Sequence, residues 1–504
     1  MNQLFLEKSI KICLLLSLFI YAVFYYMWGE ILPVRYGLGW DGIVYGAYAK
    51  DFFSEIRINA DAYHISRCFP SFAIWLFCKI THIKLNTNSS IFTAFFIFNN
   101  FCFLLIALLW NKICHLKNLS FTTFIFGFIC FFCNFVFLKY YQYAAVATDV
   151  FALLLGMISL YFYLKKWALA LNFLLIPTML SWPIGIVFIF ILSVFSKAPC
   201  NPVFRKSPVK IVLFFTLCYM ISLIVLSTTG YLHRNYQTMG TDIAKNMAII
   251  SASLAGIYTF IIGKEIQPAL LIKGLSLFNI KNFIYYLGFI SFTLSLYYYL
   301  LHMSPYHNGE PSATSPDLIL KFLLLDIPTG PLIKPGIFLT MQVANWGPAA
   351  LLFLFFCREM IRKAYVESIG MVLLLLISFY FSLNPQYRFN SFLIPLTIYL
   401  LSLVINDLKI NIKTCQLFAL ISIFSSKVYY LINSCDIPLN PSVDDLYNTC
   451  LQRFFMNTGH WVSWHGYYIT LTLTIVTAFL LIALGYSVVF QSKTSPFNFK
   501  FALR

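Results

Sequence analysis

A chain of 504 residues that is 60% hydrophobic and only 11% charged, with a mean hydropathy of +0.79, does not have the make-up of a soluble domain, in which about a quarter of residues are charged. It reads as an all-α polytopic membrane bundle, one integral-membrane unit over 1–504 with no separate soluble domain. The net charge of +17 is spread over short loops between apolar runs, the positive-inside pattern that reports orientation, so nucleic acid is excluded as a partner.

The first apolar run, Ile10 to Trp28, is near the length needed to cross hydrocarbon. No small-residue cleavage site follows it, so it is expected to be retained. The longest polar segment, 29–90, comes next. It opens with Gly39-Trp40-Asp41-Gly42-Ile43-Val44-Tyr45 and continues through Asp51, Glu55, Arg57, Asp61, His64 and Arg67. Charges beside a bilayer cost free energy unless they meet water, a partner or a substrate, which singles this cluster out. The apolar stretch Phe69–Ile83, with Pro70 at a helix start, predicts an interfacial helix rather than a crossing.

Spans are predicted at 91–111, 120–138 and 149–164. The region 167–196 is too long for one span and is interrupted by Ser181-Trp182-Pro183. Proline removes a backbone donor, so two short helices are expected to enter and leave the membrane there. Further spans follow at 210–228, 246–263, 283–301, 337–357, 366–382, 389–405, 415–432 and 466–490, about 12–14 transmembrane helices in all. With a cytoplasmic amino terminus, the loops 112–119, 165–166, 197–209, 264–282, 358–365 and 406–414 are inside and hold most lysines and arginines. Nearly all acids, Asp41 and Asp149 among them, then lie outside. A single kinked span at 167–196 would invert everything after it, and the loop charges favour the broken hairpin. The other outer segments are 139–149, 302–336 and 433–465. Of the thirteen cysteines, most sit in apolar runs, such as Cys102, Cys130, Cys133 and Cys218, and read as small hydrophobes. Cys435 and Cys450 share the last outer loop and would pair only in an oxidising compartment.

Several residues carry two readings each. Asp41 suits a general base that takes a proton from an acceptor hydroxyl, and equally a turn acid, since Asp-Gly is a common turn pair. Asp149 opens a span, where it would orient an acceptor, support a metal or act as an N-cap. Arg388, between Tyr387 and Phe389 at a span boundary, offers a planar fork for phosphate or a snorkelling anchor. Arg67 and His64 precede Pro70 in the same loop as Asp41 and are candidates for contact with phosphate or sugar. Arg57, Arg234 and Arg453 are further outer cations. The run Lys139, Tyr140, Tyr141, Gln142, Tyr143 reads as an aromatic belt or as rings that stack on a sugar. His460, Trp461, Trp464 and His465 either shape an acceptor pocket or anchor the last span, and two histidines alone make a poor metal site. The signatures of nucleotide hydrolysis and of serine or zinc proteolysis are missing from the sequence.

The order of these elements resembles the GT-C superfamily of polytopic membrane glycosyltransferases. The pattern Trp40-Asp41-Gly42…Tyr45…Ala49 followed by Arg67…Phe69-Pro70 is similar to the motif of GPI-type mannosyltransferases and bacterial relatives. Thr148-Asp149-Val150-Phe151 resembles the second acid, and Asn384-Pro385-Gln386-Tyr387-Arg388-Phe389…Pro395 the late Arg-aromatic…Pro element. Ser181-Trp182-Pro183 stands where an Arg-Glu element is usual. The resemblance covers most of 1–400. It implies a multi-pass enzyme of the cell (inner) membrane that moves a sugar from a polyprenyl-phosphate-linked donor to a lipid, glycan or protein acceptor at the extracytoplasmic face. Asp41 and Asp149 would be catalytic, with Arg388, Arg67, His64, Tyr45 and Tyr387 in substrate contact. It leaves a divalent cation open, since some relatives use one and others do not. Two alternatives stand beside it. A lipid or glycan flippase or transporter would place ionisable groups near the midplane, and a polysaccharide polymerase or ligase would lean on outer arginines.

Overall fold

A backbone that crosses hydrocarbon must satisfy its own N–H and C=O groups. The computed structural model is accordingly helical, with no strand among the described residues, which are 3–39, 41–59, 61–198, 209–228, 247–303, 321–433, 459 and 462–491. The amino-terminal part comprises α1 (Gln3–Trp28), then α2 (Gly42–Lys50), α3 (Phe52–Asn59), α4 (Ala62–Ile65) and α5 (Phe69–Thr81), then the long α6 (Asn88–Leu116). There follow α7 (Phe121–Phe132), α8 (Val136–Tyr143), α9 (Asp149–Leu164), α10 (Ala168–Met179), α11 (Gly185–Val194) and α12 (Val209–Thr228). The rest consists of α13 (Ala248–Gly263), α14 (Pro268–Leu275), α15 (Ile280–His302), α16 (Phe322–Leu332), α17 (Ile337–Trp346), α18 (Ala349–Phe355), α19 (Cys357–Glu367), α20 (Ile369–Phe381), α21 (Ile394–Leu408), α22 (Ile412–Ser426) and α23 (Trp464–Gln491).

Among the described residues, several of the expected spans are carried by short or bent helices rather than by one long helix. Among the described residues five helices are long and apolar enough to cross a membrane, in α1, α6, α12, α15 and α23, or up to eight if each of three bent pairs is one span. Local chemistry explains the breaks. Between α7 and α8 the Asn134 amide donates to the carbonyls of Cys130 (2.8 Å) and Phe131 (3.0 Å) and its oxygen accepts from Phe137 N (3.0 Å). These bonds compete with the helical ladder, and the pair bends by 48°. The expected span 337–357 is broken at Gly347, whose φ of 65° is open to glycine and costly for other residues, and at Pro348. The stretch 358–365, expected as a loop, lies in a helix. Cys357, Met360, Ile361, Ala364 and Tyr365 are buried at helical spacing, an apolar stripe that its charged neighbours mask in the sequence. At Ser181-Trp182-Pro183 the chain does turn back, because α11 packs against α10.

Two ends of the bundle differ in chemistry. At one end Lys117 pairs with Glu367 (2.7 Å), Arg358 with Glu265 (3.3 Å) and Lys363 with Asp407 (2.5 Å), and the Tyr399 hydroxyl donates to Glu367 (2.8 Å). Half-exposed pairs of this kind contribute at most about 1 kcal/mol each, so they register the helix ends more than they stabilise them. Apart from Glu367 and Tyr399, which fall in predicted spans, the residues they join come from the loops assigned above to one side. The opposite end gathers 29–90, the start of α9, the turn before α11 and the turn before α21.

Between the ends, α9 lies against α21. A Cβ on Gly156 of α9 would stand 2.0 Å from the carbonyl oxygen of Phe392, so only glycine lets the segment before α21 come this close. Gly156→Ala is expected to destabilise the protein by about 1–3 kcal/mol through overpacking. Gly288→Ala in α15, where nothing lies within 4 Å of the new carbon, is expected to be neutral or stabilising by up to about 1 kcal/mol. Thermal unfolding of the two purified variants checks the contrast.

Candidate functional site

Asp41 stands at the amino end of α2, yet its carboxylate makes no capping bond to that helix. The Tyr63 hydroxyl donates to Asp41 Oδ2 instead (3.0 Å) and accepts from Arg67 Nη1. Tyr63 therefore links an exposed carboxylate to a guanidinium. Arg67 is itself stacked, with its guanidinium carbon 4.0 Å from the centre of the Tyr63 ring and 5.9 Å from that of Trp182. Cation–π contacts of this kind favour arginine over lysine. Trp182 is supplied by the break between α10 and α11, where Leu180 O also accepts from Phe69 N (2.8 Å). The broken hairpin thus holds the start of α5 in place. Gly42 brings the first turn of α2 down on the segment before α9, its absent Cβ lying 3.1 Å from the Val146 side chain.

Asp149 is in the first turn of α9 and is buried. Thr148, not Asp149, holds the N-cap position, and it makes no side-chain cap bond, so the N-cap reading of Asp149 does not hold. Among the described residues Asp149 forms no salt bridge. Arg388, Arg67 and Asp41 act on it through space, with the helix amino terminus adding a favourable partial charge. Arg388 lies half-buried in the single turn Tyr387–Asn390 ahead of α21 rather than in the span itself. The Gly156–Phe392 approach is what brings that turn to α9. The side chain of Tyr387 and the whole of Trp40 lie outside the described residues.

His64 is held one step back. Asp61 caps α4, accepting from His64 N through Oδ1 (2.8 Å) and from His64 Nδ1 through Oδ2 (2.9 Å). The imidazole edge packs against Tyr45 (5.6 Å between ring centres) and Tyr63 (5.1 Å). Tyr45 is buried. Burial pushes its phenol far up, against the pull of the neighbouring Arg67, so it stays protonated.

The segment 139–143 is neither an open stacking surface nor a lipid-facing belt. Lys139 is buried and pairs with Glu30 (2.7 Å). Glu30 also accepts from the amides of Ile432 (3.0 Å) and Asn433 (2.6 Å), Lys139 donates to Tyr430 O (2.6 Å), and the Tyr143 hydroxyl donates to Asn433 Oδ1 (2.8 Å). Burial opposes the charge on Glu30, but Lys139 and the two amides outweigh it and hold the carboxyl below its usual range. This cluster braces the segment that leads into Asp149.

Tyr63, Trp182 and the Glu30–Lys139 pair were not among the expected site residues. Tyr63 stands four residues before Arg67, a spacing that places two side chains on one helical face; the other two meet the site only through tertiary packing. Arg57 is exposed on α3. Arg234, Arg453, Cys435, Cys450, His460 and Trp461 lie outside the described residues. Cys130 in α7 and Cys133 just after it stand at a C-x-x-C spacing and are free thiols. Among the described residues no three His, Cys, Asp or Glu side chains gather as a metal set. Two carboxylates beside two guanidiniums are a poor cage for a resident cation.

Asp61 generates a pH prediction. Burial works to raise its pKa, but the bonds from His64 prevail and the net displacement is downward. A lowered folded value means that its stabilisation is complete above the unfolded value of about 3.9 and is lost as the pH falls through the folded value. The unfolding-temperature difference between wild type and Asp61→Asn is expected to be constant near neutrality and to shrink on acidification below about pH 4, measured by thermal scans across pH.

No family model, curated protein or solved structure matches this chain, so its chemistry is read from the residues that the fold brings together.

Proposed function

We propose that this chain is a membrane glycosyltransferase that moves a sugar from a polyprenyl-phosphate-linked donor to the hydroxyl of a lipid, glycan or protein acceptor, at the extracytoplasmic face of the cell membrane. The observation that carries the reading is the convergence of Asp41, Asp149, Arg67 and Arg388, drawn from three separate parts of the chain, at one end of an apolar helix bundle.

Each group has work that suits its environment. Asp41 is exposed, and its Oδ2 is oriented by Tyr63, so it takes the proton from the acceptor hydroxyl. The hydroxyl oxygen forms a bond to the anomeric carbon as the bond from that carbon to the donor phosphate oxygen breaks, which inverts the sugar's configuration. The electron pair leaves with polyprenyl phosphate. Arg388 and Arg67 stabilise the negative charge that develops there, where planar, charge-assisted hydrogen bonds to phosphate are at their strongest. Asp149 balances the two guanidiniums before the donor arrives and holds the acceptor. The prenyl tail stays among the apolar helices and the donor enters sideways from the bilayer. In this orientation the amino terminus and the paired loops around Lys117, Glu265, Glu367 and Asp407 face the cytoplasm.

Membranes containing wild type or Asp41→Asn, supplied with radiolabelled prenyl-phospho-sugars, test the reading. Loss of the base is expected to slow transfer by about 10²–10⁴-fold with expression unchanged. Full transfer by Asp41→Asn removes Asp41 from this role, and labelled donor that crosses the membrane chemically unchanged identifies a flippase. Arg388→Lys keeps the charge and loses the fork, and is expected to cost about tenfold in kcat/KM. A reporter inserted within 304–320 is expected to label from outside intact cells.

A further inference from the structure

Lys427 follows the last residue of α22 in the left-handed conformation, with φ of 53°. Lys166 and Lys409 also adopt positive φ, and both are exposed, but Lys427 is only 5% exposed. Its ammonium donates to Thr470 Oγ1 at 3.3 Å. Among the described residues no carboxylate pairs with it, in contrast to Lys139 with Glu30. The carboxyl end of α22 supplies about half a unit of negative charge and a threonine hydroxyl supplies none. A buried ammonium costs several kcal/mol unless an anion compensates it.

There is room for an anion beside it. Lys427 forms part of the wall of a cavity of about 260 Å³ between α22 and α23, whose other walls include Phe424, Tyr430, Ile469 and Leu473. Ligand pockets run from about 300 to 1,000 Å³, so this one admits a headgroup and leaves a long tail outside. On the same two helices Leu420, Ile475 and Phe479 are exposed apolar side chains. One cation in an otherwise greasy wall that continues onto lipid-facing helices matches a molecule with one negative charge and acyl chains.

We propose that this cavity seats the phosphate headgroup of an anionic phospholipid, which enters sideways from the bilayer and neutralises Lys427. The site is separate from the Asp41–Asp149 cluster and does not depend on the reading of that cluster as a transferase. It does adjoin the brace behind the cluster, because Tyr430, in the cavity wall, accepts the hydrogen bond from Lys139.

The full chain, purified in a neutral detergent, would be titrated with phosphatidylglycerol, phosphatidylcholine or inorganic phosphate, and bound lipid counted by native mass spectrometry alongside the unfolding temperature. Phosphatidylglycerol is expected to bind about tenfold more tightly than phosphatidylcholine, as one charge-assisted bond allows, and to raise the unfolding temperature. Lys427→Met should erase that preference and Lys427→Arg should keep it. Thr472→Trp, which fills the cavity and leaves the lysine in place, should also erase it and reads the proposal even if Lys427→Met does not fold. Equal binding of the two lipids, a preference that survives Thr472→Trp, or full stabilisation by inorganic phosphate alone would overturn the assignment.

Discussion

A carboxylate buried at the mouth of an apolar helix has to be balanced by charge brought from elsewhere in the chain. Arg67, more than eighty residues earlier, and Arg388, more than two hundred later, favour the charge of Asp149 through space, against the larger opposing effect of its burial. Neither guanidinium can reach it without further conditions. Arg67 is placed by its stack on Tyr63 and Trp182, and Trp182 is there because the hairpin 167–196 breaks at Pro183. Arg388 is placed because Gly156 lets the backbone of Phe392 touch α9. The irregular parts of this bundle, its short helices and broken spans, are the parts that bring the charged groups together. Non-helical backbone at such depth is tolerated where protein covers it, and here it is covered by the tyrosines and the Glu30–Lys139 pair around it.

Much of this was legible in the chain, and the reasons differ by element. The helical class and the break at Ser181-Trp182-Pro183 follow from composition and from proline's missing donor, both strong local signals. The start of α5 had a similar basis in Pro70. Breaks made by side chains were not legible. Asn134 looks like any polar residue in a span until its amide is seen bonding Cys130 and Phe131. The helix at 357–367 was masked because its five charged residues are interleaved with the five of its narrow apolar stripe. Asp41, Asp149, Arg67 and Arg388 stood out because charge is rare here, whereas Tyr63 is one tyrosine among many and its role is defined only by the two charges on either side of it.

The two halves of the charged inventory serve different ends. At the Lys117–Glu367 end, ion pairs between half-exposed groups join neighbouring helices. At the Asp41 end several charges are buried, and among the described residues Asp149 and Lys427 form no salt bridge. A charge left open in a low-dielectric setting is poorly stabilised by the protein alone, which makes that end of the molecule the part most responsive to whatever anion or hydroxyl approaches it.

The brace around Glu30 also has a bearing on assembly. Its carboxylate is completed by amides that lie 402 and 403 positions further along the chain. During synthesis the first helix is in the membrane long before those amides leave the ribosome. Until they arrive, the acid must remain hydrated or stay with Lys139 alone, and the rim it anchors stays open. Loop closure over such a separation is slow, and the charged end of this bundle can be completed only after Ile432 and Asn433 have been made.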